Sequence, residues 1–173
     1  FEAVDANPDG RFEPEKYNYL YTALGLMTTD SEPQNSLRYF KQAAQWQPQA
    51  ASFENVAIAA KKVGDFETAE RYYQMIPRDY KPPSYFTNLS SLYFETQQFA
   101  AGAAVLTEAI ESGFDALICY KMRCFFRMET GDFAGAREDL EQAAAMLEQL
   151  PDAQPDPDLE SLRMRLLGVP FGN

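Results

Sequence analysis

Side chains of matching size recur every 33 or 34 residues, and this recurrence constrains the chain more than any other feature. Four stretches line up: 33–43, 66–76, 99–109 and 133–143. The small residues Ser36, Ala69, Gly102 and Ala136 stand 33, 33 and 34 positions apart. The large residues Phe40, Tyr73, Leu106 and Leu140 keep the same steps, and so does the row Pro33, Phe66, Phe99 and Phe133. Three columns sharing one period mean that a single supersecondary unit is used repeatedly.

Ahead of each stretch, apolar residues fall at helical spacing. The first stripe is Leu20, Ala23, Leu24 and Met27, and the second is Phe53, Val56, Ala57 and Ala60. The third is Phe86, Leu89, Ser90 and Tyr93, and Tyr120, Cys124 and Arg127 fall on the fourth. Short polar breaks separate the halves: Gly64-Asp65, Gln97-Gln98 and Gly131-Asp132. Glycine suits the left-handed residue that ends a helix. Pro48 and Pro82-Pro83 punctuate the starts of later units, since proline is tolerated in a first helical turn. Each block therefore reads as helix, tight turn, helix. The small residues let the two helices of a unit approach closely, and the aromatics fill the gap between units. A pair this short cannot bury its apolar face alone, so it must stack on the next. The expected fold is an all-α solenoid of four units, at about 17–49, 50–82, 83–116 and 117–150. An N-terminal extension, 1–16, precedes them. A linker and capping helix occupy 151–173, with Asp156 as N-cap, Pro157 as first helical residue, and Leu159, Leu162 and Leu166 on one face.

Composition narrows the function. The 173 residues are 46% hydrophobic and 24% charged, enough apolar content to bury a core. A formal charge of −11 repels phosphate backbones, which argues against nucleic acid or an anionic membrane as partner. No apolar run approaches the roughly 20 residues of a membrane span, so no membrane insertion is expected. Histidine is absent, which removes the usual general base, the Ser/His and Cys/His dyads and the commonest zinc ligand. No phosphate-binding glycine loop or nucleophile elbow is present. The expected protein is not an enzyme. Cys119 and Cys124, five residues apart, are out of easy disulfide reach on one helix and do not fix a redox compartment. The chain opens at Phe1 rather than Met, as a trimmed or processed product would. That leaves both a cytoplasmic and an exported location open.

Residues 17–150 resemble the tetratricopeptide repeat family. The resemblance rests on Gly64-Asp65-Phe66 with Ala69 and Tyr73, and on Gly131-Asp132-Phe133 with Ala136, Leu140 and Ala143. The third unit departs from the pattern with Gln97-Gln98-Phe99, and the first has a longer junction, 28–33, ending in Pro33. The resemblance implies a right-handed stack whose first helices line a concave groove that binds peptides or protein segments. The groove residues it points to are Tyr21, Asn55, Ile58, Asn88, Ser91, Lys121, Met122 and Phe125. Asn55 and Asn88 stand 33 apart, and an amide can pair with both groups of a peptide backbone. The cations that would clamp a terminal carboxylate are missing, because Asn18, Tyr21, Asn55, Thr87 and Asn88 hold those places and only Lys121 is positive. The expected ligand is extended, partly apolar, and neutral to basic. The alternative is a structural subunit that self-associates through an open end or its convex side.

Two features stand apart from the repeat. Arg123 lies on the apolar stripe of the fourth unit, and a buried arginine needs a carboxylate. Asp139 on the facing helix is in register to supply one, and the resemblance contains this combination as a variant. At the N-terminus, Asp5, Asn7 and Asp9 alternate before Gly10, resembling a calcium-binding EF-hand loop. Lys16 stands where the bidentate glutamate belongs, and Asn7-Pro8-Asp9-Gly10 also reads as a plain β-turn. Calcium is thus the one cofactor the sequence raises, as a second alternative in which it modulates the module.

Overall fold

Aspartate or proline starts most of the described helices, and a left-handed residue follows several of them, at Gly64, Gln97, Gly113, Gly131 and Gly168. In the computed structural model, Asp65, Asp115, Asp132 and Asp156 each accept a hydrogen bond from a backbone N–H in the first turn they precede. Pro14, Pro33 and Pro157 fill first-turn positions, where the missing N–H is not needed. The structure describes residues 13–77, 80–151 and 154–168. The turn at Asp5, Asn7 and Asp9, raised as an alternative calcium site, lies outside the described residues.

Among the described residues the regular structure is nine helices. They are α1 Pro14–Thr28, α2 Pro33–Trp46, α3 Ala50–Lys62, α4 Phe66–Gln74, α5 Pro83–Glu95, α6 Phe99–Glu111, α7 Ala116–Glu129, α8 Phe133–Glu148 and α9 Pro157–Leu166. The chain forms two compact units, Phe1–Asn88 and Leu89–Asn173, divided within α5.

In the first unit α1 packs on α2, α2 on α3, and α3 on α4. Its core is Leu37, Phe40, Ala43, Val56, Ala57, Ala60, Ala69 and Tyr73, all buried. The Tyr73 ring meets Tyr85 of α5 edge-on at 5.8 Å between centroids. In the second unit α6 packs on α7 and α7 on α8, and α9 lies against both α7 and α8. Leu162 of α9 closes a buried cluster with Cys124, Met128 and Ala136, and Leu166 packs on its edge. Gly102 is tight for a different reason from the one the sequence suggested. An ideal Cβ there would stand 2.3 Å from the ring of Phe126 on α7, so the bareness of Gly102 seats an aromatic of the following pair.

The stripe expected on α1 is wrong by a rotation. Leu20 is 50% and Met27 79% exposed, whereas Gly25 is buried. A Cβ on Gly25 would lie 2.6 Å from Cε1 of Phe40, and its carbonyl accepts from the hydroxyls of Ser36 (2.8 Å) and Thr29 (2.8 Å). Close backbone approach and hydroxyl pairing, not apolar area, decide which face of α1 turns inward. Tyr21 follows that rotation. Its ring stacks on Tyr39 of α2 at 6.4 Å.

Candidate functional site

The three first helices after α1 set side chains at matching places, and the second unit gathers one group around a cavity. Its volume is about 440 Å³. Met122, Phe125 and Phe126 come from α7, at the spacing that puts them along one side of a helix. Ser91 and Phe94 come from α5, and Ser161, Leu162 and Arg165 from α9. Lys121 and Asp158 stand at its polar edge. The aromatic wall is continuous: Phe94 to Phe125 is 5.5 Å between centroids, Phe125 to Phe126 5.9 Å, and Phe99 to Phe126 5.9 Å. These tilted and edge-on contacts fix the rings in place. Phe94 is nevertheless half exposed, so part of the wall is open to a ligand.

The cations at this cavity are already paired. Lys121 Nζ donates to Asp156 Oδ2 at 2.6 Å and to Asp158 Oδ2 at 3.1 Å. Burial pulls the Lys121 ammonium down, but these hydrogen bonds and charges outweigh it and hold it above its ordinary value. The Lys121 hydrogen bond holds the Asp156 carboxyl below the usual carboxylate range, helped by the N–H groups of Leu159 and Asp158. Asp156 thus caps α9 and ties it to α7 at once. Arg165 lies 5.0 Å above the Phe125 ring and donates to Glu129 at 2.6 Å. Asp158 lines the cavity beside the two cations, and Asp156 and Glu129 neutralise them from outside it, so neither cation is left unpaired there. Lys121, the one cation named for the groove, lines this cavity with its charge paired inside the fold.

The remaining groove residues stand elsewhere. Asn55, Ile58 and Asn88 belong to the first unit and form no wall of this cavity. Both asparagines are half-buried, and neither amide hydrogen-bonds to a described residue. Ile58 is 39% exposed. Tyr21 is occupied by Tyr39, as described. Sequence reasoning missed Phe94, Phe126 and the contribution of α9. Leu162 was visible as part of an apolar face, but nothing in the sequence tells which cavity that face closes.

Arg123 and Asp139 form a buried ion pair. Nη2 reaches Oδ1 at 2.6 Å and Nε reaches Oδ2 at 3.0 Å, with Asp139 at 1% exposure. Arg123 Nη1 also donates to Thr107 Oγ1 at 2.9 Å, and Arg127 Nη1 reaches Asp139 Oδ2 at 3.0 Å. The hydrogen bond to Asp139 raises the Arg123 guanidinium above its ordinary value. This carboxylate therefore serves two arginines, and the group holds α6, α7 and α8 together rather than facing the cavity. Burial pushes the Cys119 and Cys124 thiols up to about 11, so both stay protonated and inert near neutrality. Among the described residues, no group of three or more acidic or cysteine side chains could hold a metal ion. No helix among them is long and apolar enough to cross a membrane.

No family model matches this chain, and no curated protein matches its sequence. Among solved structures, MamA 41-end from Desulfovibrio magneticus RS-1 is similar, with a TM-score of 0.63 and 15% identity over 75% of this chain and 75% of that one. A tetratricopeptide repeat protein from Parabacteroides merdae ATCC 43184 aligns over 95% of this chain and 74% of that one, at 17% identity and a TM-score of 0.43, too low to weigh in the argument. The repeated helix pairs and the MamA likeness show the fold: all-α, a helical repeat of tetratricopeptide type.

Proposed function

We propose that this chain is a non-catalytic protein-interaction module that takes an extended, neutral-to-basic peptide segment, seating one large apolar side chain in the cavity of α5, α7 and α9. The observation that carries this reading is the cavity itself: an aromatic wall with half-exposed Phe94, and a rim whose cations are already paired by Asp156, Asp158 and Glu129. With no unpaired cation at the rim and a net charge of −11 on the chain, an acidic neighbour to the anchor is disfavoured and a Lys or Arg is the better fit. Ser161 supplies a hydroxyl for the segment's backbone, and Met122 gives the pocket an adaptable wall. In the first unit, Asn55 and Asn88 have amides available for backbone pairing in the same chemical manner.

Selection of a random ten-residue peptide library on the full chain tests this. The enriched sequences should carry a large apolar residue beside Lys or Arg. Phe94→Ala should weaken a selected peptide about tenfold or more while leaving the helical circular dichroism unchanged. Asn55→Ala with Asn88→Ala should weaken binding to a smaller extent without unfolding the chain. Unaltered affinity in Phe94→Ala would remove the cavity from the reading, and unaltered affinity in the double variant would remove the asparagines.

A further inference from the structure

We infer that two copies of this chain pair through α1, antiparallel and two-fold symmetric about Ala23, on a surface separate from the peptide cavity. The face of α1 opposite Gly25 is apolar, and no described helix packs on it: Tyr19, Leu20, Leu26 and Met27 are all half or more exposed, with Ala23 half-buried between them. The corresponding residues of the later first helices are not exposed. Ser52 and Ala59 on α3, Tyr85 and Leu92 on α5, and Cys119 and Phe126 on α7 are all buried. Tyr85 meets Tyr73 of the preceding helix, and Phe126 meets Phe99 and the bare Gly102 of its own preceding helix. That place in the repeat is built to receive a helix, and on α1 no described helix fills it.

The pattern on α1 says which helix fits. Around Ala23, Leu20 and Leu26 stand three residues to either side, Tyr19 and Met27 four, and Lys16 and Asp30 seven. A two-fold axis through Ala23 therefore sets Leu20 against the partner's Leu26, Tyr19 against the partner's Met27, and Lys16 against the partner's Asp30. A small residue on the axis permits close approach, its neighbours interdigitate, and a methionine sulfur meets an aromatic ring. Lys16 and Asp30 are exposed, and their present partners, Glu13 and Lys62, hold them in surface pairs that contribute little. The contact is self-complementary in shape and charge, as an isologous interface requires. Residues 19–27 carry no charged side chain, so two copies of a chain of charge −11 can approach there without acid facing acid. One 15-residue helix face is smaller than the roughly 800 Å² per partner of a standard interface, so dissociation is expected at about 10–100 μM.

Sedimentation velocity of the full chain from 1 to 300 μM tests this, with a monomer–dimer equilibrium expected. Leu20→Glu with Met27→Glu should abolish the dimer and leave helical content and melting temperature at low concentration unchanged. Lys16→Asp should raise the dissociation constant several-fold, and adding Asp30→Lys should restore it. Ala23→Cys should give a dimer cross-linked through the introduced thiols under mild oxidation, because the native thiols are buried. A wild-type chain that stays monomeric throughout overturns the proposal. So does a dimer that survives the double glutamate variant, or one that neither cross-links nor responds to the charge exchange. A monomer that loses melting temperature with the glutamates shows that the chain covers this face itself, and overturns it too.

Discussion

The first helix pair and the fourth solve one packing problem with opposite chemistry. In α1–α2 the close approach is made by omission: Gly25 has no side chain, Phe40 fills the space, and three hydroxyls, from Thr28, Thr29 and Ser36, satisfy carbonyls near the contact. In α7–α8 it is made by addition: Arg123 and Arg127 converge on the buried Asp139 carboxylate, and Thr107 of α6 takes a further guanidinium N–H. The repeat requires only that two helices meet at a set distance. A steric seat and a buried ion pair both achieve this, but they break differently.

The largest effect is expected at the ion pair. Asp139→Ala leaves two guanidiniums facing a buried void, which costs about 3–5 kcal/mol. Urea denaturation followed by circular dichroism reads this directly. The comparison sharpens if both partners are replaced: Arg123→Leu with Asp139→Leu should recover most of the loss, because no unpaired charge remains from that pair. If the double variant is no better than the single one, the carboxylate acts mainly through Arg127.

At the steric seat the expected loss is smaller. Gly25→Ala places a methyl group 2.6 Å from the Phe40 ring, and forcing the ring aside costs about 1–3 kcal/mol. Phe40→Leu in the same chain should return part of it by making room, a recovery that denaturant midpoints would show. Asp139→Ala should have no comparable rescue by shrinking a neighbour.

These two pairs also mark how far the sequence could be read. Repetition was legible because small and bulky residues kept their columns. The position of Arg123 on an apolar stripe announced a buried charge, and Asp139 lay in register on the next helix. The rotation of α1 was illegible for a physical reason. Leu20 and Met27 are more hydrophobic than Gly25 and Thr28, so hydrophobicity alone points the helix the wrong way. What turns it is the absence of a Cβ and the carbonyl that the absence uncovers. The role of Arg127 on Asp139, and the pairing of Lys121 with Asp156 across 35 residues, depend on tertiary placement that no local spacing encodes.

The tie between α9 and α7 comes next in size. Asp156→Ala removes both an N-cap and the partner of Lys121, and about 1–2 kcal/mol should be lost. The sign with pH follows from the Asp156 carboxyl lying below its ordinary value when folded. Its contribution is fully present at neutral pH and is lost as pH falls through the folded value. The melting-temperature gap between wild type and Asp156→Ala should therefore be constant from pH 7 to about 5 and close below about pH 4. A gap that persists unchanged in acid would mean that α9 is held by Leu159 and Leu162 alone.

The smallest effect concerns the turns, where the two units can be compared at matching residues. Gly64, Gln97 and Gly131 occupy the same turn position and take φ values of +78°, +57° and +80°. Their hydrogen bonds match as well. Asp65 N donates to Ala60 O at 2.9 Å, Gln98 N to Tyr93 O at 2.8 Å, and Asp132 N to Arg127 O at 2.8 Å. Gln97 therefore pays the left-handed penalty of an L side chain, about 1 kcal/mol, without any difference in the turn it makes. Gln97→Gly should relieve that strain, while the greater freedom of glycine in the unfolded chain takes part of the gain back, leaving about 0.5 kcal/mol of added stability. Gly131→Gln should lose a similar amount. Equal and opposite shifts in the denaturation midpoint would show that the turns are interchangeable. A loss in both would mean that the Gln97 side chain supports its turn in a way the backbone geometry does not register.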